Sequence, residues 1–296
     1  GKPCYDLRTL HRNLDMMIKL IKYMREIGWQ PYANDHEDAN CQFEINWTYA
    51  DALTTADRHT FFRWMVKTVA EEAGLMATFM PKPFANLTGN GAHYHMSLWD
   101  SANETNLFLD KSGPNGLSEI GQWFMGGILK HAKALTALTN PIVNSYKRIV
   151  VASPRSGATW APVYITYGAS NRTQMIRIPG PGRFEVRSVD GAANPYLAFA
   201  AMLAAGMDGI ENKIDPGKRN DENLYEIHPD EIQRRKIDTL PQNLNEALDH
   251  LENDPVIMNA LGESFARYYI EVKRDEWQRY HRSVSQWETD NYLSVY

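Results

Sequence analysis

The sequence predicts an α+β fold with an antiparallel sheet. Segments with helical spacing of apolar residues occur in blocks between shorter β segments, and the β segments follow one another at hairpin-like spacing. These two features favour an antiparallel sheet over a doubly wound parallel one. At 296 residues the chain is also long enough to bury a large core without disulfides or a structural metal.

The individual elements follow from apolar spacing and from the residues that begin and end helices. The first predicted helix ends at Gly28, the second begins after Thr54 or Thr55, and the third ends at Asn140 and Pro141. The predicted helices span residues 7–28, 56–74, 116–138 and 195–213, and the chain from 229 onward is mostly helical. The predicted strands span residues 31–34, 42–47, 78–80 and 92–99, and short strands alternate with loops over 145–187.

Composition and charge exclude several classes of protein. Hydrophobic residues make up 43% of the chain and charged residues 23%, as in ordinary globular proteins. The net charge of −5 supplies no basic field for nucleic acid, and no apolar run reaches the ~20 residues of a membrane span. Two cysteines, Cys4 and Cys41, form no disulfide framework, and no signal peptide is visible, so the cytoplasm is the expected compartment. Because the chain begins with Gly1 rather than Met, we expect a trimmed or processed piece of a longer protein.

Polar side chains recur at every second position within three predicted strands, so that each strand has one apolar and one polar face. The polar faces carry His93, His95 and Ser97; Gln42, Glu44 and Asn46; and Arg183, Glu185 and Arg187. A solvent-exposed face of an antiparallel sheet is the alternative interpretation, since such faces are often polar. Lysine is absent from all three faces while His, Glu and Arg cluster there, which favours a face that binds a metal ion or an anion.

The ligand types indicate which metal this face would bind. Glu37, Glu44 and Glu185 supply hard oxygen ligands, and with a few imidazoles they suit Mg²⁺ or Mn²⁺. Neither cysteine belongs to a C-x-x-C pattern, which argues against zinc. The histidines at 131, 228, 250 and 281 lie among helical charges, and we expect them to be solvated.

Arginine is dense in one stretch of 40 residues, which contains Arg148, Arg155, Arg172, Arg177, Arg183 and Arg187. Guanidinium groups bind carboxylates and phosphates with two parallel hydrogen bonds, so the stretch suits an anion clamp; surface charge on loops is the alternative. Carboxylates, a divalent metal and arginines in one cavity are typical of phosphoryl transfer. Since the chain has no P-loop and no kinase glycine-rich motif, the residues alone predict a metal-dependent enzyme acting on phosphorylated or carboxylated substrates.

Several ordered segments resemble the signature motifs of the glutamine synthetase family. Lys82 and Pro83, followed by the run Gly-Asn-Gly-Ala-His-Tyr-His-Met-Ser at 89–97, look like its ATP-binding signature. The runs at 144–148 and 171–179 match its glutamate and phosphate arginine motifs, and 185–187 with 192–196 match the next block. The resemblance extends over almost the whole chain and is greatest to the bacterial type-III-like branch, which includes γ-glutamylmethylamide synthetase.

The resemblance implies a fold, an activity and an assembly. The fold is a curved antiparallel sheet with helices on its outer face, and residues 1–296 form one catalytic domain. The family's small N-terminal β-grasp domain, with two more metal-binding glutamates, is absent from this chain.

The implied activity is an ATP-dependent ligase that joins glutamate to ammonia or a small alkylamine through γ-glutamyl phosphate, with Mg²⁺ or Mn²⁺. Glutamine synthetase proper, using ammonium, and a non-catalytic nucleotide-binding or structural relative are the alternatives. The implied assembly is a homo-oligomer, a dodecamer of two stacked hexamer rings when full length.

The same resemblance implies roles for individual residues. Metal ligands are Glu37, Glu44, His93 and Glu185. ATP contacts are His95, Ser97, Arg177 and Arg183, glutamate contacts are Arg148, Arg187 and Gly89, and Arg172 with Arg148 act in catalysis.

One departure from the family pattern concerns the amine. The family's flap Tyr-Glu-Ala-Pro appears here as Thr159 to Pro162, and Trp160 stands where the glutamate that helps to deprotonate ammonium is usual. A tryptophan offers an apolar ring that can contact both the charge and the methyl group of methylammonium. Methylamine is therefore the favoured acceptor. Tyr225 follows Asn223 and Leu224 in a segment that resembles one adenylylated in some members of the family.

Overall fold

The computed structural model describes residues 4–150, 161–169 and 171–296. Within these residues, the β structure comprises two small sheets. The first pairs β1 (Pro31–His36) with β2 (Phe43–Trp47) in antiparallel fashion. The second has the order β3–β6–β5–β4 and comprises β3 (Tyr94–Met96), β4 (Tyr167–Gly168), β5 (Ile176–Gly180) and β6 (Arg183–Val186). The pairings β3–β6 and β6–β5 are antiparallel, and the short edge pairing β4–β5 is parallel.

The helices follow the chain in blocks, as predicted. The N-terminal block contains α1 (Leu7–Arg12), α2 (Leu14–Glu26) and α3 (Ala52–Glu72). The central block contains α4 (Glu119–Lys130), α5 (Ala132–Thr139) and α6 (Pro195–Glu211). The C-terminal block contains α7 (Pro229–Arg234), α8 (Leu244–Glu252), α9 (Pro255–Leu261), α10 (Glu263–Arg282) and α11 (Gln286–Tyr292). The α+β prediction is confirmed. Across the described ranges, no helix combines the length and the apolar character that crossing a membrane requires.

Two apolar cores stabilise these layers. In the larger core, Phe108 stacks on Phe184 of β6 with ring centroids 5.6 Å apart, and Phe124 of α4 packs against both rings. In the smaller core, Met17 and Leu20 of α2 pack with residues of α3 beneath the β1–β2 sheet. Each of these fully buried side chains contributes about 1.5–3 kcal/mol by leaving water. The sheets that carry the polar faces are therefore supported from behind by helices.

Helices α4 and α6 pack with their backbones in close contact. A Cβ atom added at Gly127 would lie 2.0 Å from the carbonyl oxygen of Ala205, and one added at Gly209 would lie 2.1 Å from that of Trp123. Both distances are far inside van der Waals contact, so only glycine fits at these two positions. We call this contact the glycine seam.

A buried histidine interrupts the predicted helix 116–138, which is instead α4 and α5. His131, at the junction, is 5% exposed, and its ring nitrogens lie 2.6 Å from Asp254 and 3.0 Å from Asp208. The expectation of a solvated His131 is therefore wrong, because carboxylates from α6 and from the cap of α9 enclose its ring. We call His131, Asp208 and Asp254 the histidine clamp.

Other element predictions are corrected in detail. The predicted helix 7–28 is two helices that meet at Asn13, and the second long helix begins at Ala52 because Asp51, rather than Thr54 or Thr55, caps it. The Asp51 carboxylate accepts a hydrogen bond of 2.9 Å from the backbone N–H of Thr54. The predicted strand at 78–80 is an extended loop, whose Met80 carbonyl accepts from the Asn90 side chain at 2.8 Å rather than from a neighbouring strand.

Candidate active site

A cleft of about 1250 Å³ opens beside both sheets and collects the residues that the sequence singled out. Most of them lie on β2, β3, β5 and β6 or on residues adjoining β1 and these strands, and Arg148 and Arg172 enter the cleft from turns. Twelve candidates line the cleft: Glu37, Glu44, Gly89, His93, His95, Ser97, Arg148, Arg172, Arg177, Arg183, Glu185 and Arg187. Trp160, the candidate for the amine site, lies outside the described residues, and so does Arg155.

Strand register brings Glu185 to the centre of a charged cluster. Glu185 pairs with His95 of β3 on one side and with Arg177 of β5 on the other. Its side chain is 2% exposed, and it accepts hydrogen bonds from Arg187 at 2.6 Å and from Arg177 at 3.0 Å. Two guanidinium groups around one buried carboxylate compensate the cost of burying it. With Arg148, Arg172 and Arg183, the arginines outnumber this carboxylate, so this side of the cleft attracts anions.

His93 lies next to this cluster, with its Nδ1 3.3 Å from the Glu185 carboxylate. Burial lowers the pKa of His93 well below its ordinary value, and the nearby charges of Arg187 and Arg148 lower it further. The imidazole is therefore neutral at physiological pH. A neutral imidazole is the form that coordinates a metal ion.

Glycines allow the loop before β3 to approach Arg148. A Cβ atom at Gly91 would lie 2.7 Å from Nη2 of Arg148 and 2.9 Å from Nε2 of His93. One at Gly89 would lie 2.3 Å from the carbonyl oxygen of Pro81. The guanidinium of Arg148 donates to the carbonyl oxygens of Ser188 at 2.8 Å and Arg187 at 3.2 Å, which fixes its orientation.

The part of the cleft formed by β1 and β2 carries three carboxylates, Asp35, Glu37 and Glu44, which we call the acidic wall. Asp35 and Glu44 are register partners across β1 and β2, and Glu37 directly follows β1. None of the three forms an ion pair with another residue that the structure describes. Burial, followed by the charges of Glu44 and Asp35, raises the pKa of Glu37 to about 7. The acidic wall therefore holds more negative charge than its surroundings neutralise.

This donor set fits a divalent cation. Oxygen ligands from Glu37, Glu44 and Glu185, with the neutral imidazole of His93, are the types that Mg²⁺ and Mn²⁺ accept. Within the described part of the chain, no three acidic, histidine or cysteine side chains already stand in the arrangement of a metal site. The carboxylates of the acidic wall carry like charges, which a bound cation would offset. Glu185 can accept its two arginine bonds and still bind a cation, because a carboxylate has about four acceptor positions.

An aromatic pair that sequence reasoning missed extends the cleft beyond Ser97. The Trp99 indole donates to Oγ of Ser97 at 3.1 Å, and its ring stacks on Tyr49 with centroids 6.1 Å apart and planes 13° from parallel. Tyr49 is 72% exposed, so the pair presents a flat apolar surface at the mouth of the cleft. The signal was present in the sequence, because Trp99 continues the period-two pattern of the strand face 93–97.

Two tyrosines lie near arginines of the cleft: Tyr5 near Arg172, and Tyr225 near Arg148 and Arg187. The Tyr5 hydroxyl accepts a hydrogen bond of 2.9 Å from Arg172. Tyr225 donates from its hydroxyl to the carbonyl oxygen of Ala161 at 2.9 Å, and burial raises its pKa to about 12. Adenylylation of Tyr225 would require this hydrogen bond to break.

Comparisons with known proteins agree with this geometry. The family model described as the catalytic domain of glutamine synthetase matches residues 1–292. The glutamine synthetase of Rhizobium meliloti (strain 1021) is 51% identical over 294 residues, which are 99% of this chain and 67% of that relative. The glutamate–methylamine ligase of Methyloversatilis universalis is 50% identical over 298 residues, which are 100% of this chain and 66% of the relative.

A solved structure of GmaS with ADP superposes with a TM-score of 0.93 at 53% identity, covering 99% of this chain and 67% of the other. GmaS without ligand superposes with a TM-score of 0.90 at 51% identity, covering 100% and 66%. The chain thus spans about two thirds of the length of the relatives that it matches.

Proposed function

The chain belongs to the glutamine synthetase family of ligases, and from that premise we propose that it carries the catalytic domain of an ATP-dependent ligase that joins glutamate to a small amine. The observation that supports this most strongly is the cleft itself. It combines an arginine side suited to carboxylate and phosphate groups with an acidic wall suited to a divalent cation and an ammonium group. Both halves of such a reaction, activation of a carboxylate and its capture by an amine, need these opposite charges within one cavity.

The proposed reaction has two steps. In the first, a γ-carboxylate oxygen of glutamate attacks the γ-phosphorus of ATP, the bond to the bridging oxygen breaks, and ADP leaves. In the second, the amine nitrogen attacks the acyl carbon, the bond from carbon to the phosphate oxygen breaks, and phosphate leaves as the nitrogen loses a proton. The first step converts a poor acyl donor into a good one.

The chain's own arginines stabilise the charge that develops in these steps. Arg148 and Arg187 bind glutamate, together with the backbone at Gly89. Arg172 and Arg177 contact the transferring phosphoryl group, and their fixed positive charges are available without rearrangement. A divalent cation held by Glu37, Glu44, His93 and Glu185 would supply further positive charge to the phosphate oxygens.

The nucleotide end of the cleft is proposed to lie along β3. His95 and Ser97 contact ATP, with Arg183 nearby, and the Tyr49–Trp99 pair offers a surface on which the adenine ring can stack. Stacking of a base on an aromatic side chain contributes about 1–3 kcal/mol. The paired rings therefore add affinity for any adenine nucleotide.

Arg187→Ala tests the proposed glutamate site. Loss of a forked, preoriented donor should lower kcat/KM for glutamate by 10²- to 10³-fold, since such donors contribute about 2.7–4 kcal/mol to the barrier. The affinity for ADP, measured by calorimetry, should change less than threefold. Arg279→Ala, on the exposed face of α10, is the control. A nucleotide affinity that collapses while the glutamate KM is unchanged would contradict the assignment.

The acceptor amine is a finer question, and we propose methylamine. Sequence identity does not distinguish methylamine from ammonium as the acceptor. The glutamine synthetase relative and the glutamate–methylamine ligase relative differ by only one percentage point in their identity to this chain. The chemistry of Trp160 supports methylamine: its ring can attract an alkylammonium by about 0.5–2 kcal/mol and can also cover the methyl group. One methyl group in an apolar pocket discriminates by about 1–3 kcal/mol. Ammonium, which lacks the methyl group, is the alternative substrate.

The experiment compares kcat/KM for methylamine, ethylamine and ammonium in the longest natural form of the protein and in Trp160→Glu. We expect the natural protein to prefer methylamine and the substitution to shift the preference toward ammonium by tenfold or more. Trp64→Glu, an exposed tryptophan of α3 outside the cleft, is the matched control. An unchanged ratio in Trp160→Glu would remove Trp160 from the acceptor site, and a natural preference for ammonium would establish the alternative.

The remaining proposals concern whether the protein is catalytically active, its cellular compartment and its assembly. An active ligase is favoured over a non-catalytic relative by the complete retention of the arginines and of four metal ligands, Glu37, Glu44, His93 and Glu185. Glutamate-dependent ADP formation distinguishes the two. The proposed setting is the cytoplasm, where ATP and glutamate are available. The proposed assembly of the full-length protein is a dodecamer of two stacked hexamers, which its mass in solution would test.

A further inference from the structure

Asp190 is a buried carboxylate directly behind the arginine side of the cleft. It is 0% exposed and is not among the described residues that line the cleft. It accepts hydrogen bonds from the backbone N–H of Ala192 at 2.9 Å, from the amide of Asn140 at 3.1 Å and from the hydroxyl of Ser145. A fully buried carboxylate with three neutral donors is costly to retain for packing alone.

The same hydrogen-bond network orients Arg148. The Asn140 amide that donates to Asp190 also donates to the carbonyl oxygen of Ser188 at 2.8 Å. That carbonyl oxygen is the one that accepts the 2.8 Å hydrogen bond from Nη1 of Arg148. Asp190 and Arg148 are therefore connected through one amide and one peptide group.

Charge connects the two residues as well. Arg148 is buried, and among the residues that the structure describes no carboxylate forms an ion pair with it. The negative charge of Asp190 is the principal attraction that offsets the burial of this guanidinium. The neighbouring Arg187, by contrast, has Glu185 in direct contact at 2.6 Å.

We propose that Asp190 is the positioning residue of Arg148: it supplies the counter-charge and holds the 187–190 backbone on which the guanidinium rests. This inference rests on the proposed function, in which Arg148 binds glutamate. Asp190 itself touches no substrate. Its loss acts through the orientation of Arg148 and therefore affects the binding of glutamate rather than that of the nucleotide.

The experiment measures glutamate binding in the presence of ADP and Mg²⁺, together with glutamate KM and nucleotide affinity, for Asp190→Asn in the longest natural form of the protein. We expect glutamate to bind ten- to a hundredfold more weakly and the nucleotide affinity to change less than twofold. Asp254→Asn, which alters a mostly buried aspartate of the histidine clamp, is the matched control; it should lower the melting temperature without changing glutamate binding.

A double variant separates positioning from general destabilisation. If Asp190 acts through Arg148, then Asp190→Asn should weaken glutamate binding less than twofold further when Arg148 is already replaced by Lys. Should Asp190→Asn fail to fold, Asn140→Ser removes the shared amide and should weaken glutamate binding at least threefold. Unchanged glutamate binding in either folded variant, or additive losses in the double variant, overturns the role of Asp190 alone. A natural protein that binds no glutamate overturns the proposed function and this inference with it.

Discussion

The acidic wall and the histidine clamp both bring carboxylates together but differ in whether the charges of those carboxylates are balanced. In the clamp, the His131 ring lies between two carboxylates, and Lys130 contacts one of them at 2.9 Å. In the acidic wall, three carboxylates lie together, and no ion pair reaches them from the described residues. The clamp joins α6 and the start of α9 at the junction of α4 and α5, whereas the wall lines an open cleft.

The difference indicates where the molecule needs an external partner. A cluster whose positive and negative charges balance needs no further charged partner and contributes to the stability of the fold. In the acidic wall, burial and then the charges of Glu44 and Asp35 raise the pKa of Glu37 to about 7, and a bound cation would offset that repulsion. Perturbed carboxylates in a cleft are typical of functional sites, while compensated pairs between helices are typical of structural ones.

The largest expected effect is on activity. Glu37→Gln keeps the shape of the side chain and removes one charge from the acidic wall, and we expect kcat to fall at least 100-fold because the cation loses a ligand. The melting temperature of the metal-free protein should stay the same or rise, because repulsion from Glu44 and Asp35 is relieved. Steady-state kinetics and thermal unfolding measure both quantities.

Glu104→Gln is the control for this variant, since Glu104 is exposed on a surface turn. If Glu37→Gln lost activity and stability together, the acidic wall would be structural, and the contrast with the clamp would fail.

The next effect is the reverse, a loss of stability without a loss of activity. His131→Ala leaves Asp208 and Asp254 without the cation between them, and the free energy of unfolding should fall by about 2 kcal/mol, within the range for hydrogen bonds to charged groups. Chemical denaturation measures this. At temperatures well below melting, kcat/KM should remain within twofold of the natural value. His11→Ala, at an exposed position of α1 outside the cleft, should alter neither quantity.

Metal addition should produce a smaller change. At tenfold excess over its dissociation constant, Mg²⁺ should stabilise the natural protein by about 1.4 kcal/mol through binding to the folded state alone. The shift in melting temperature should disappear with a chelator and be absent in a Glu37→Gln, Glu44→Gln double variant. An equal shift in His131→Ala is the internal control, because the clamp has no part in binding the cation.

The smallest expected effect is that of pH on the clamp. Burial opposes protonation of His131, but its hydrogen bonds to Asp254 and Asp208 outweigh burial, and the pKa of His131 is raised. Because the pKa of His131 is raised in the folded state, the stabilisation that its protonated ring provides is complete below the unfolded pKa of ~6.5. That stabilisation declines as pH rises through the pKa of the folded state. The stability difference between the natural protein and His131→Ala should therefore shrink from pH 6 to pH 9. A difference that grew with pH would show that the ring is held neutral.

Local patterns predicted the parts of the site that depend on neighbouring residues. Alternation within a strand placed His95 and Glu185 on polar faces, and pairing of those strands brought them opposite each other. The clamp could not be predicted this way, because Asp208 and Asp254 are 77 and 123 residues from His131 in the chain. A local sequence pattern carries no information about contacts between residues so far apart. Asp190 was missed for the same reason, since its partners come from a different element. The strand expected at 78–80 failed because its backbone groups bond to the Asn90 side chain rather than to a neighbouring strand.

The glycine seam between α4 and α6 has a consequence for directed evolution. Helix α6 begins at Pro195, a few residues after Asp190, so the position of α6 fixes the end of the segment that carries Arg187 and Asp190. A single methyl group at Gly127 or Gly209 would push α6 away from α4 and carry that segment with it. Libraries selected for turnover should therefore return glycine at both positions, although neither residue lies near a reacting atom.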